Sequence, residues 1–146
     1  MNKYLLITNN PKVIDKYSTE HIKICFKENI EDIFKEVRDY IHKGYILISH
    51  PLAGSVKPYQ NPYRSIILKE NDSLDYDSLK TYENSFEKYK QFEEKKKDIN
   101  DLPEKILDDY QVVDLSLIES ALQSIKLDWK YILYSKGEVI DDDRVK

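Results

Sequence analysis

Apolar and polar positions follow two different periods along this chain, and the periods locate its elements. Tyr4-Leu5-Leu6-Ile7 is a continuous apolar run, the pattern of a strand covered on both faces. Asn10 and Pro11 follow as an N-cap and a first helical residue. A short helix over 11–17 is therefore predicted, with Val13, Ile14 and Tyr17 inward. Ile22, Ile24 and Phe26 alternate with Lys23 and Cys25, which predicts a half-covered edge strand. The period then changes. Ile30, Ile33, Phe34, Val37 and Ile41 form one helical stripe, and Gly44 stands where a left-handed cap belongs. Tyr45-Ile46-Leu47-Ile48 predicts a third, buried strand ending at Ser49.

Residues 50–63 carry Pro51, Pro58 and Pro62 and no periodicity. Long ordered loops inside compact domains are commonly functional. Ser65-Ile66-Ile67-Leu68 predicts a fourth strand. No helix separates it from the third, so it is free to run antiparallel. Leu79, Tyr82, Phe86, Tyr89 and Phe92 form a second helical stripe behind Asp75 and Asp77, which suit a helix N-terminus by charge. Asp101-Leu102-Pro103-Glu104 is another start signal, and Ser116-Leu117-Ile118-Glu119 has the form of a capping box opening a last helix. That helix would face inward either through Ile118, Leu122 and Ile125 or through Leu117 and Ala121. The apolar segment 127–134 fits neither period uniquely.

Strands alternating with helices imply a single three-layer α/β domain with a small, mainly parallel sheet and a helical C-terminal half. It would span residues 1–134, with a flexible acidic tail over 135–146. Right-handed crossovers give the strand order 2-1-3-4. In that order the chain reverses between strands one and three, and ligands of such sheets bind outside the carboxyl ends at the reversal. Thr8-Asn9-Asn10 and the loop from Ser49 to Lys57 would meet there.

Composition narrows the function classes. The chain has 146 residues, enough for one ordinary core without disulfide or metal. Its net charge of −4 lacks the basic excess of nucleic-acid binders, so no nucleic-acid partner is expected. No segment is long and apolar enough to span a membrane. A single cysteine, Cys25, cannot form an internal disulfide and reads as a small hydrophobe of a reducing, cytoplasmic protein. His21, His42 and His50 are scattered, without metal-ligand spacing, so no metal or cofactor is expected.

The candidate chemistry gathers at the predicted sheet end. His50 suits acid/base work or donation to an anion, and it serves equally as a cap of the long loop. Gly54, Ser55 and Lys57 form a segment whose backbone amides could wrap an anion, with Lys57 adding charge, although the spacing is not that of a phosphate loop. The alternative is a tight turn between two prolines. Arg64 could neutralise a carboxylate or phosphate, or tie the loop down. Thr8, Asn9 and Asn10 serve as strand end and helix cap, and as ligand contacts if an anion sits at that helix start. Ser49 and His50 are adjacent on a strand and point to opposite faces, so Ser55 is the better candidate nucleophile. Arg38, Asp39 and His42 share a helix and read as a solvated face.

Several blocks, in order, resemble the GrdX family. They are Thr8-Asn9-Asn10-Pro11, Val37-Arg38-Asp39-Tyr40-Ile41-His42-Lys43-Gly44, and Ser49-His50-Pro51-Leu52-Ala53-Gly54-Ser55-Val56-Lys57-Pro58 with Asn61-Pro62-Tyr63. Leu115-Ser116-Leu117-Ile118-Glu119-Ser120-Ala121 is similar to the family as well. The resemblance implies an accessory protein encoded alongside the glycine, sarcosine and betaine reductase systems of amino-acid-fermenting anaerobes. It implies no catalytic subunit and carries over no catalytic residue.

Two readings stand at this point. The first is a non-catalytic accessory protein of an amino-acid reductase system, binding a small anion or a reductase component through the 49–64 loop. The second is an enzyme acting on a small anionic substrate, with His50 as acid/base and Lys57 or Arg64 holding the anion. A plainer role is a homodimer contact through the Tyr/Leu-rich C-terminal segment. The sequence leaves open whether the chain is an enzyme.

Overall fold

The computed structural model describes residues 4–18, 22–52 and 60–135. The run Tyr4–Thr8 forms β1, buried at every position after Tyr4. Asn10 caps the next helix, α1 (Pro11–Tyr17), its side chain accepting from the Lys12 N–H. β2 (Lys23–Phe26) pairs parallel with β1 at the sheet edge, as its alternation predicts, and Phe26 is left exposed. α2 (Ile30–His42) buries Ile30, Ile33, Phe34, Val37 and Ile41, the whole predicted stripe. Gly44 beyond it has φ 105°, and a Cβ there would lie 3.0 Å from the Asn71 carbonyl oxygen. Both facts require glycine.

Two expectations about the middle of the chain are corrected. The sheet order is β2-β1-β4-β3, not 2-1-3-4. β4 (Ser65–Lys69) runs antiparallel and enters between β1 and the short β3 (Ile46–Leu47), pairing with both. The reason is in the sequence of β4, whose Ile66, Ile67 and Leu68 are wholly buried and need a covered, central position. β3 consequently lies at the edge. It is two residues long and half-buried, and Ile48 is exposed, where the apolar run had predicted a buried strand over 45–49. Its ladder ends in a bulge-like step, with the Ile48 and Ser49 N–H groups both donating to the Ile67 carbonyl. Three of the four strands still point the same way, but two of the three pairings are antiparallel.

Helices cover both faces. On one, α2 and α3 (Tyr76–Gln91) pack on Leu5, Ile7, Ile66 and Leu68, with Phe34 against the rings of Tyr82, Phe86 and Tyr89 at 5.3–6.1 Å. On the other, α1 and α4 (Glu104–Ser135) pack on Leu6 and Ile67 through Val13, Tyr17, Ile118 and Leu122. This is the predicted three-layer arrangement. Asp75 caps α3 by accepting from the Ser78 N–H. Two single-turn 3-10 helices (Glu93–Lys95 and Ile99–Asp101) lead to α4.

The capping box at Ser116 does not open a helix. α4 is continuous from Glu104, and the Ser120 hydroxyl donates to the Ser116 carbonyl inside it. Pro103 provides the real start, and no helix breaker occurs between it and Ser135. The ambiguous segment 127–134 is part of α4. The expected acidic tail lies outside the described residues apart from Ser135. Among the described residues no helix is long and apolar enough to cross a membrane.

Candidate functional site at the β1–β4–β3 end

The carboxyl ends of β1 and β3 and the amino end of β4 lie at one edge of the sheet, with α4 across them. This is the sheet end at which the predicted order placed Thr8-Asn9-Asn10 and the loop after β3, although β4 stands between β1 and β3.

Thr8, Asn9 and Asn10 bind the protein itself. Asn9 is a clamp: its side-chain Oδ1 accepts from the Arg64 N–H at 2.9 Å and its Nδ2 donates to the Pro62 carbonyl at 2.9 Å. That pins the returning loop to the end of β1. Asn10 caps α1 with its oxygen and uses Nδ2 on α4, donating to the Gln111 carbonyl at 2.9 Å and to Asp114 Oδ2 at 3.0 Å. Thr8, Ser65 and Asp114 complete a directed chain. The Asn10 N–H donates to Thr8 Oγ1, and the Thr8 and Ser65 hydroxyls are 2.7 Å apart. Ser65 in turn donates to Asp114 Oδ2 at 2.7 Å. Since the carboxylate only accepts, Ser65 spends its proton there and Thr8 donates to Ser65.

Asp114 was missed by sequence reasoning. The signal was present: it stands four residues before Ile118 and eight before Leu122, on the stripe that faces the sheet. An acidic residue on a buried face requires partners. It is 5% exposed, as is Arg64. Burial raises the Asp114 carboxyl above its ordinary range, while the hydrogen bonds from Asn10 and Ser65 and the Arg64 charge oppose that rise. Burial likewise lowers Arg64, against the attraction of Asp114. A guanidinium nevertheless stays protonated in proteins.

A cavity of about 120 Å³ opens between these elements. Ser49, His50 and Pro51 after β3 form one side, Arg64 and Ser65 another, and Asp114, Leu117, Ile118 and Ala121 of α4 the third. Ser49 Oγ is committed to the sheet, accepting from the Ile67 N–H at 2.8 Å in place of a ladder carbonyl. His50 is exposed, and its Nδ1 accepts from the Leu52 N–H at 3.0 Å. A neutral imidazole in that arrangement carries its proton on Nε2, so the free nitrogen is a donor. Ser49 and His50 do not form a dyad.

Of the residues named from sequence, Ser49, His50 and Arg64 line the cavity, whereas Thr8, Asn9 and Asn10 stand behind its wall. Gly54, Ser55 and Lys57 lie outside the described residues, as does His21. Arg38 is exposed and hydrogen-bonds Asp39 at 3.4 Å, in keeping with a solvated face. Cys25 is half-buried, its thiol pushed up by burial and by Glu36, which is 3.9 Å away.

The chain matches the family described as GrdX-like protein over residues 5–123. It belongs to that family. The match runs from β1 through the part of α4 that closes the cavity, so the whole described site lies within the family's extent. No curated protein and no solved structure matches the chain.

Proposed function

We propose that this GrdX-like chain is a non-catalytic accessory protein that binds a small anionic ligand in the cavity beside the 49–64 loop, in the service of an amino-acid reductase system. The observation that carries the reading is Arg64, a buried guanidinium on the wall of that cavity. A guanidinium is the donor best matched to a carboxylate or phosphate. The size of the space supports a small ligand, since drug-sized molecules occupy about 300–1,000 Å³. The reductase association rests on family membership, which also makes a reductase component a second candidate occupant of the 49–64 loop.

His50 favours binding over catalysis. With Nδ1 taken by the Leu52 N–H, the neutral ring presents a donor, which suits an anion and does not suit proton abstraction. The general-base form of the enzyme reading needs the opposite tautomer.

Isothermal titration with inorganic phosphate, acetyl phosphate, acetate, glycine and nucleotides tests the proposal. At least one small ligand is expected to bind, and His50→Ala to weaken it about three- to tenfold, the worth of one neutral hydrogen bond. Flat traces for every compound, with unchanged affinity of His50→Ala for any reductase component, would remove the reading.

A further inference from the structure

We infer that the ligand of this cavity is a small zwitterion, a molecule of a few heavy atoms bearing both a carboxylate and an ammonium group, in the manner of a small α-amino acid. The inference rests on the small-ligand reading above and narrows its chemistry. It starts from two charges of opposite sign on neighbouring sides of the cavity. Arg64 comes from the start of β4 and Asp114 from α4, and each is 5% exposed. A ligand carrying only negative charge would meet Arg64 favourably and Asp114 unfavourably in a space too small to separate the two. A purely cationic ligand faces the reverse conflict. A molecule with both groups meets each charge with its opposite.

The hydrogen bonding around Asp114 is compatible with this role. Asn10 and Ser65 both donate to Oδ2, and the Ser65 backbone N–H also favours the carboxylate. A carboxylate has about four acceptor sites, so capacity remains for an ammonium N–H. The same donors hold the carboxylate in one orientation without a ligand, which lowers the ordering cost of binding. Beside Asp114, α4 lines the cavity with Leu117, Ile118 and Ala121, an apolar surface against which a hydrogen or methyl side chain packs.

Titration of the full chain with glycine, alanine, acetate, methylamine and inorganic phosphate at one ionic strength separates the cases. Glycine and alanine are expected to bind, with acetate and methylamine at least tenfold weaker. Asp114→Asn should shrink the preference for glycine over acetate about tenfold. Ala121→Leu fills the cavity from α4 without touching the partners of Asp114. It should abolish binding while leaving the circular dichroism spectrum unchanged, so the inference stays testable even if Asp114→Asn fails to fold. Acetate or phosphate binding as tightly as glycine overturns the zwitterion and leaves the anion site standing. No binding by any of these five probes overturns the zwitterion, and the acetyl phosphate and nucleotide titrations then decide the anion site; undiminished binding in Ala121→Leu overturns both.

Discussion

Asp114 shows how one buried carboxylate joins three elements. It receives Asn10 from the start of α1 and Ser65 from the start of β4, and it sits on α4. Asp114→Ala leaves a buried amide N–H and a buried hydroxyl without an acceptor, and we expect it to cost about 1–3 kcal/mol in urea denaturation. Asp114→Asn keeps an acceptor oxygen in place and should recover most of that loss. The pH dependence follows from the direction of the shift. Burial raises the folded carboxyl above its ordinary 3.8, so the folded chain holds this proton to higher pH than the unfolded chain does. The contribution of this group to stability therefore declines as pH rises from 3.8 through the folded value. The stability of wild type minus that of Asp114→Asn should therefore fall as pH rises from 3 to 7. A variant profile parallel to the wild type would refute the assignment. Ser49 makes a simpler case. Ser49→Ala removes the acceptor of the Ile67 N–H and should cost about 1–3 kcal/mol, with faster hydrogen exchange at the Ile67 amide.

Elements succeed or fail here by what covers them. α2 was legible because its stripe is unbroken and its end is signalled by Gly44, while the Asn29 cap that starts it, accepting from the Asp32 N–H, emerged only in the structure. Gly44→Ala should cost at least about 1–2 kcal/mol by thermal denaturation, since the residue sits at positive φ and a methyl would press on the Asn71 backbone. Phe34 shares its core with three α3 rings, and Phe34→Ala should cost about 3–5 kcal/mol. β3 was misjudged because four apolar residues in a row read alike whether a neighbour strand lies on one side or both. α4 was divided in two because a Ser-x-x-Glu pattern marks a helix start only when the preceding backbone is not already helical. At 32 residues α4 is about 48 Å long, and it is held at the sheet by Ile118, Leu122, Asp114 and the Lys12–Asp108 and Lys16–Glu119 ion pairs to α1. The ion pairs are partly exposed and add little, so Leu122→Ala should loosen α4 more than Lys12→Ala does, as read by hydrogen exchange along the helix.

At the scale of the whole molecule, local order came from the sequence and long-range placement came from packing. The three-layer class, β1, α1, β2 and α2 follow from hydrophobic period and capping residues, which act over a few positions, whereas of the two faces open for α4 packing selected that of Ile118 and Leu122 and left Leu117 exposed. The end of the sheet where the cavity lies was also legible, because two strand ends and a long proline-bearing loop had to meet somewhere. Three further things needed the tertiary structure. One was the insertion of β4 between β1 and β3, since an antiparallel return can enter either beside its predecessor or past it, and the full burial of Ile66, Ile67 and Leu68 decided between them. Another was the commitment of Thr8, Asn9 and Asn10 to the fold, because an asparagine can cap, clamp or bind, and only its neighbours select which. The last was the meeting of Arg64 with Asp114, fifty positions apart along the chain. No local pattern links two charges at that separation. Their proximity exists only after a strand and a helix from opposite sides of the sequence have closed over the same sheet end.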